Sequence, residues 1–184
     1  MYFLENVQRP LEHLSDRNEI NRILNSIESI FEIEDYDFAI CEKFNILINR
    51  RDIESLRDGQ WVEDNIINFY SSMMQERTPS SYYFSTFFYQ NFLNNLNNNP
   101  IRIVNRAKNL NLFSKEKVFW SIFVSGCHWV LVCFMVQHNS IIIYDSLDYS
   151  SEYSTIFETI KTFLTLLPNN QVQFSTTVAN WIPK

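Results

Sequence analysis

The 184 residues are 46% hydrophobic and only 20% charged, enough to bury one sizeable core in one domain. With 16% aromatics, two glycines and five prolines, long low-complexity tracts are excluded, apart from the polar loop Asn94 to Pro100. A net charge of -6 and a pI near 5.1 argue against nucleic acid as a partner, because phosphate binding needs clustered Lys and Arg.

The start, MYFLENVQRPLEHL, has no basic stretch followed by an apolar block, so no signal peptide is expected. Ile20, Ile23, Leu24, Ile27, Ile30 and Phe31 share one face at helical spacing and predict an amphipathic helix. Phe44 to Ile48 predicts a short strand, and Arg51 to Gln60 a charged turn. Val62, Ile66, Phe69, Tyr70 and Met73 predict a core-facing helix starting just after Trp61. A further helix opens near Ser85 as N-cap, with Phe88, Phe92 and Leu96 on one side, and Ile101 to Lys108 predicts another.

Val118 to Val136 runs 19 residues without Asp, Glu, Lys or Arg, long enough to span a bilayer. Ser121, Ser125, Gly126 and His128 interrupt it, and its Val, Ile and Phe content suits buried strands, so no membrane association is expected. It divides at Ser125-Gly126 into strands 118–124 and 128–136, followed by a strand from Ser140 to Tyr144. Tyr153, Phe157, Ile160, Leu164 and Leu167 predict a helix closed by Pro168, and Val172 to Phe174 one more strand. The whole predicts an α+β domain.

His128 begins one strand and Asp145 ends the next, 17 positions later. A turn centred on Gln137-His138 sets Asp145 opposite Val130 and makes it a diagonal neighbour of His128; a turn one residue later separates them. An imidazole oriented by a carboxylate is the base that nucleophilic catalysis requires. A half-buried strand histidine and a turn-initiating aspartate are the structural alternative. Three cysteines, Cys41, Cys127 and Cys133, have no metal-ligand spacing and suit a reducing compartment, nucleus or cytoplasm. No metal or other cofactor is expected.

Four blocks in order, FNILINRRDIESLRDGQWVEDNIINFY, FSTFFYQNFL, KVFWSIFVSGCHWVLVCF and IIIYDSL, resemble the Ulp-type, or sentrin-specific, cysteine proteases that act on ubiquitin-like modifiers. The resemblance covers residues 42 to 150 and implies a papain-like α+β domain over 42–184, incomplete at its C-terminus, with residues 1–41 as a helical extension. It implies His128 as general base and Asp145 as its orienter. It also implies Trp61 and Trp129 as walls of a narrow channel for the modifier's Gly-Gly tail, which suits a chain without Cβ. Asp64 matches a position that meets a basic group on the modifier. The implied partner is SUMO or a related ubiquitin-like modifier and its conjugates.

The family's oxyanion-hole glutamine and its Asp-Cys-Gly nucleophile have no match, so residues 1–184 are expected to be inactive as they stand. Cys127 and Cys133 lie at odd offsets from His128, and all three cysteines are expected to be small buried hydrophobes. Ser121, Phe123 and Gly126-Cys127 also depart from the family pattern around the histidine. The expected function is hydrolysis of SUMO-like precursors or isopeptide conjugates. A catalytically silent modifier-binding module is the alternative. An effector-type acetyltransferase of the same clan is a third, disfavoured by the block containing Trp61.

Overall fold

The computed structural model describes residues 17–148, 150–168 and 174–180. The chain divides into two compact units, the first ending at Phe69 and the second starting at Tyr70.

In the first unit, helix α1 (Arg17–Phe31) half-buries Ile20, Ile23, Leu24, Ile27, Ile30 and Phe31, the face its spacing predicts. A hairpin of β1 (Ala39–Lys43) and β2 (Ile46–Asn49) follows. Phe44 does not start the strand: Phe44 and Asn45 form a two-residue turn, with φ of 60° and 58°. A primed turn of this kind matches the twist of the two strands, and the Phe44 ring meets Phe69 edge-on at 5.6 Å. The expected charged turn is in part a helix, α2 (Arg50–Glu54), because Asn49 and Asp52 form a capping box at its start. Arg50 is buried and donates to the Phe31 carbonyl at 3.1 Å, which ties α1 to α2.

Helix α3 (Asp64–Arg77) begins three residues after Trp61. Its periodicity misled at Tyr70, which is 61% exposed, while Asn68 is buried. Beside the half-buried Ile66, Phe69 and Met73, a polar stripe also turns inward and satisfies backbone and side-chain groups next to the helix. Asn65 donates to Asp52 Oδ1 at 3.1 Å, and Gln75 donates to the Ser81 carbonyl at 2.7 Å and accepts from the Tyr83 amide at 3.0 Å. Apolar spacing carries no record of such a face.

The second unit is built on a five-stranded mixed sheet in the order β3 (Ser81–Phe84), β4 (Lys117–Val124), β5 (His128–Met135), β6 (Ser140–Asp145), β7 (Ser175–Asn180). The central pairs are antiparallel and the two edge pairs parallel. The long apolar run thus folds into the β4–β5 hairpin, and no helix among the described residues is long and apolar enough to cross a membrane. Strand β3 has no counterpart in the sequence reading, since four residues between two helices show little alternation and the parallel partner lies far along the chain. Of the strand expected at Val172 to Phe174, residues 172 and 173 lie outside the described residues, and the last strand starts at Ser175.

Helices α4 (Thr86–Asn95), α5 (Pro100–Ala107) and α6 (Ser150–Leu166) cover one sheet face. Val118, Trp120 and Ile122 of β4, Val130, Val132 and Phe134 of β5, and Ile141 and Ile143 of β6 point into this core at full or near-full burial. Phe163 of α6 sits at its centre, edge-on to Phe84, Phe88, Phe92 and Trp120. Burial of this apolar face is the main force holding the helices to the sheet.

Candidate active site

Two turns bring the candidate pair together. Ser125 and Gly126, with φ of 52° and 70°, reverse the chain between β4 and β5, and the Cys127 amide returns to the Val124 carbonyl at 3.1 Å. Val136 to His138 then form a single 3-10 turn closed by Asn139 in the left-handed region, φ 48°. Met135 pairs with Ser140, Val132 with Ile143 and Leu131 with Tyr144, so one further step sets Val130 beside Asp145. This is the register of a turn centred on Gln137-His138, one of the two left open by the sequence. Strand alternation turns His128 and Asp145 both to the core face, as diagonal neighbours.

The His128 Nε2 and Asp145 Oδ1 lie 2.6 Å apart, and both side chains are almost fully enclosed. Asp145 Oδ1 also accepts from the Leu147 amide at 2.7 Å, and its Oδ2 accepts from the Tyr153 hydroxyl at 2.7 Å. Burial is the first cause that pushes the Tyr153 hydroxyl far above the ordinary tyrosine range, and the negative charges of Asp145 and Asp148 push the same way. Tyr153 is thus a neutral donor to the carboxylate. In the tautomer that donates from Nε2 to a carboxylate, the imidazole carries its lone pair on Nδ1 and can take a proton there. Beside the pair, Leu147, Asp148, Ser150 and Ser151 line an open hollow of about 460 Å³.

Trp129 points to the opposite sheet face from His128, half-buried, with its ring 4.8 Å from that of Phe123. Trp61 and Asp64 belong to the first unit. Trp61 is 57% exposed, in a loop held shut by the Glu63 amide donating to Ser55 Oγ at 3.1 Å. Asp64 is the first residue of α3 and half-buried, where an acid suits the helix dipole.

The expectation of three buried cysteines holds for Cys133 alone. Cys41 is exposed because β1 turns most of its residues outward, and Cys127 is half-buried in the hairpin turn. Cys133, on the face opposite His128, is 2% exposed with its sulfur 3.6 Å from that of Met135, and burial pushes its thiol up to about 11. Among the described residues no group of three or more His, Cys, Asp or Glu is arranged to hold a metal ion.

Tyr153 and Glu152 were not singled out by sequence. Tyr153 counted only as an apolar position of α6, and the single signal was its hydroxyl, which a buried tyrosine must satisfy. Glu152 accepts from Ser125 Oγ at 3.1 Å, so the first turn of α6 touches both the turn before His128 and the carboxylate of Asp145.

Comparison with known proteins gives a consistent set of likenesses. The family model described as Ulp1 protease family, C-terminal catalytic domain, matches residues 60–181. Sentrin-specific protease 2 of Mus musculus is 32% identical over 117 residues, 60% of this chain and 19% of that protein. Ubiquitin-like-specific protease 1 of Saccharomyces cerevisiae is 30% identical over 108 residues, 59% of this chain and 17% of that protein. The chain therefore spans under a fifth of the length of these relatives. Among solved structures, the C-terminal Ulp1 protease domain in complex with Smt3, the yeast ortholog of SUMO, superimposes with a TM-score of 0.73 at 20% identity, covering 87% of this chain and 74% of that one. A structure described as the de-sumoylating protease gives a TM-score of 0.62 at 22% identity, covering 79% and 66%.

Proposed function

The chain belongs to the Ulp1 protease family, and we propose that it forms part of a cysteine-type peptidase that hydrolyses SUMO-like precursors or isopeptide conjugates. The observation that carries this reading is the enclosed contact between His128 Nε2 and Asp145 Oδ1 at 2.6 Å. In it His128 is the general base, using Nδ1 to take the proton from a thiol, and Asp145 fixes the ring and stabilises the imidazolium that results. Loss of the carboxylate would leave the ring free to choose the other tautomer and weaken its basicity.

Smt3 in the crystallised Ulp1 complex, and the names of the sentrin-specific relatives, support SUMO or a related ubiquitin-like modifier as the partner. Trp61 and Trp129 are the proposed walls of the channel for its Gly-Gly tail, and Asp64 the proposed contact for a basic group on its surface. The proposed division of the chain is a helical extension over 1–41, whose last residues enter strand β1, and the protease domain over 42–184, acting in nucleus or cytoplasm. The burial of Cys133 on the face opposite His128 favours a second role for residues 1–184 taken alone, that of a modifier-binding module.

One calorimetric titration with a SUMO precursor, followed by electrophoresis, tests both. Saturable binding that is lost when the tail glycines are replaced by alanine, and that weakens by about 2 kcal/mol in Trp129→Ala, is the expected result. Equal affinity for both tails, or none for either, removes the modifier reading. Tail release that disappears in His128→Ala would instead assign the nucleophile to a cysteine within these residues.

A further inference from the structure

We propose that Tyr153 is a positioning residue for the candidate base: its hydroxyl holds Oδ2 of Asp145 at 2.7 Å and, through that carboxylate, sets how strongly His128 binds a proton. The proposal rests on the reading of His128 and Asp145 as base and orienter.

Asp145 is 2% exposed, so its ionised carboxylate depends on protein donors rather than water. Oδ1 accepts from His128 Nε2 at 2.6 Å and from the Leu147 amide at 2.7 Å. Oδ2 accepts from the Tyr153 hydroxyl of α6, across eight residues of sequence. The hydroxyl has one proton. Its second acceptor, Asp148 Oδ1, is at 3.4 Å, so the proton goes to the shorter bond with Asp145. Each donor drains charge from the carboxylate, and the charge left on it is what stabilises an imidazolium at His128. Tyr153 therefore limits the proton affinity of His128 while it fixes the plane of the carboxylate.

The same turn of α6 reaches the other strand. Ser125, in the turn three residues before His128, donates to Glu152 Oε1 at 3.1 Å. Glu152 and Tyr153, adjacent on α6, thus brace the start of β5 and the end of β6 from one helical turn. Among the described residues, Asp148 from the loop after β6 also bears on the Tyr153 hydroxyl, while the charge of Glu152 from α6 bears on Tyr89 of α4. These remain in a Tyr153→Phe variant, which removes only the hydroxyl.

The test is an NMR titration of residues 1–184 labelled at histidine, with the His128 ring signal assigned by its loss in His128→Asn. Asp145→Asn is expected to lower the proton affinity of His128 by about tenfold or more. Tyr153→Phe is expected to raise it about threefold, and to have no effect in the Asp145→Asn background. An unchanged or lowered affinity in Tyr153→Phe, or an effect that persists beside Asp145→Asn, overturns the role given to Tyr153 and leaves the pair standing. A titration indifferent to Asp145→Asn removes the pair itself. Amide spectra of each variant establish that it folds, and Tyr153→Met, which also lacks the hydroxyl, substitutes if the phenylalanine variant does not.

Discussion

Asn49 and Asp52 cap one another: the Asn49 amide donates to Asp52 Oδ2 at 2.8 Å, and the Asp52 amide donates to Asn49 Oδ1 at 3.1 Å. Asp52 Oδ1 accepts from Asn65 Nδ2 as well, so a buried carboxylate joins the start of α2 to the first turn of α3. Asp52→Ala leaves two donors unmatched and should cost about 2–3 kcal/mol in urea unfolding, against about 1 kcal/mol for Asn49→Ala. Equal losses would mean that the bond to Asn65 contributes nothing.

The box was legible as Asn-x-x-Asp, yet the charged residues around it drew the segment toward a turn. Capping is a relation between two polar side chains and a backbone, and composition alone does not register it. Alternation was the stronger signal: the β4, β5 and β6 strands and the face shared by His128 and Asp145 all followed from it, with one register left undecided by the turn. What stayed hidden were groups whose role depends on a partner remote in sequence. Gln75 at the β3 backbone and Tyr153 at Asp145 occupy helix positions that periodicity treats as polar or apolar and nothing more.

Phe163 is fully buried among four aromatic side chains. Its replacement by alanine opens a cavity that rigid neighbouring rings fill poorly, and should cost about 4 kcal/mol. Phe163→Leu, which keeps most of the volume, should cost about 1 kcal/mol. Chemical denaturation of both variants checks the difference, and a loss below that of Phe163→Leu in the alanine variant would show that the core collapses around the site.

Tyr82, Tyr89 and Tyr153 all have hydroxyls raised above the ordinary value of 10.0, with burial as the first cause in each. The folded state keeps these protons longer than the unfolded chain does. Their contribution is complete below pH 10.0 and is lost as pH climbs from there through the folded values. Urea midpoints measured from about pH 8 to about pH 11 should therefore fall at the alkaline end. Tyr153→Phe should flatten that fall, and an unaltered slope would count against the enclosure of its hydroxyl.

Thiol reactivity should separate Cys41 from Cys133. With its thiol pushed up to about 11, Cys133 has about one thiolate in ten thousand at neutral pH, and access is blocked as well. Cys41 lies exposed on β1. Brief alkylation followed by peptide mass spectrometry should find Cys41 modified and Cys133 intact until denaturant is added. Equal rates would contradict the packing of β5.

The loop from Val136 to Asn139 acts as a ruler. Because side chains alternate, sliding β6 by one residue against β5 would carry Ile141, Ile143 and Asp145 together to the other sheet face, so the core and the His128 contact stand or fall with the same spacing. Residue identity in the loop is constrained at Val136, which packs against the core, and at Asn139, where the left-handed backbone suits asparagine or glycine; at the exposed Gln137 and His138 it is length that matters. Chance change in this stretch should accordingly be accepted as substitution and rejected as a single-residue gain or loss, even though the loop itself lies outside the pair it aligns.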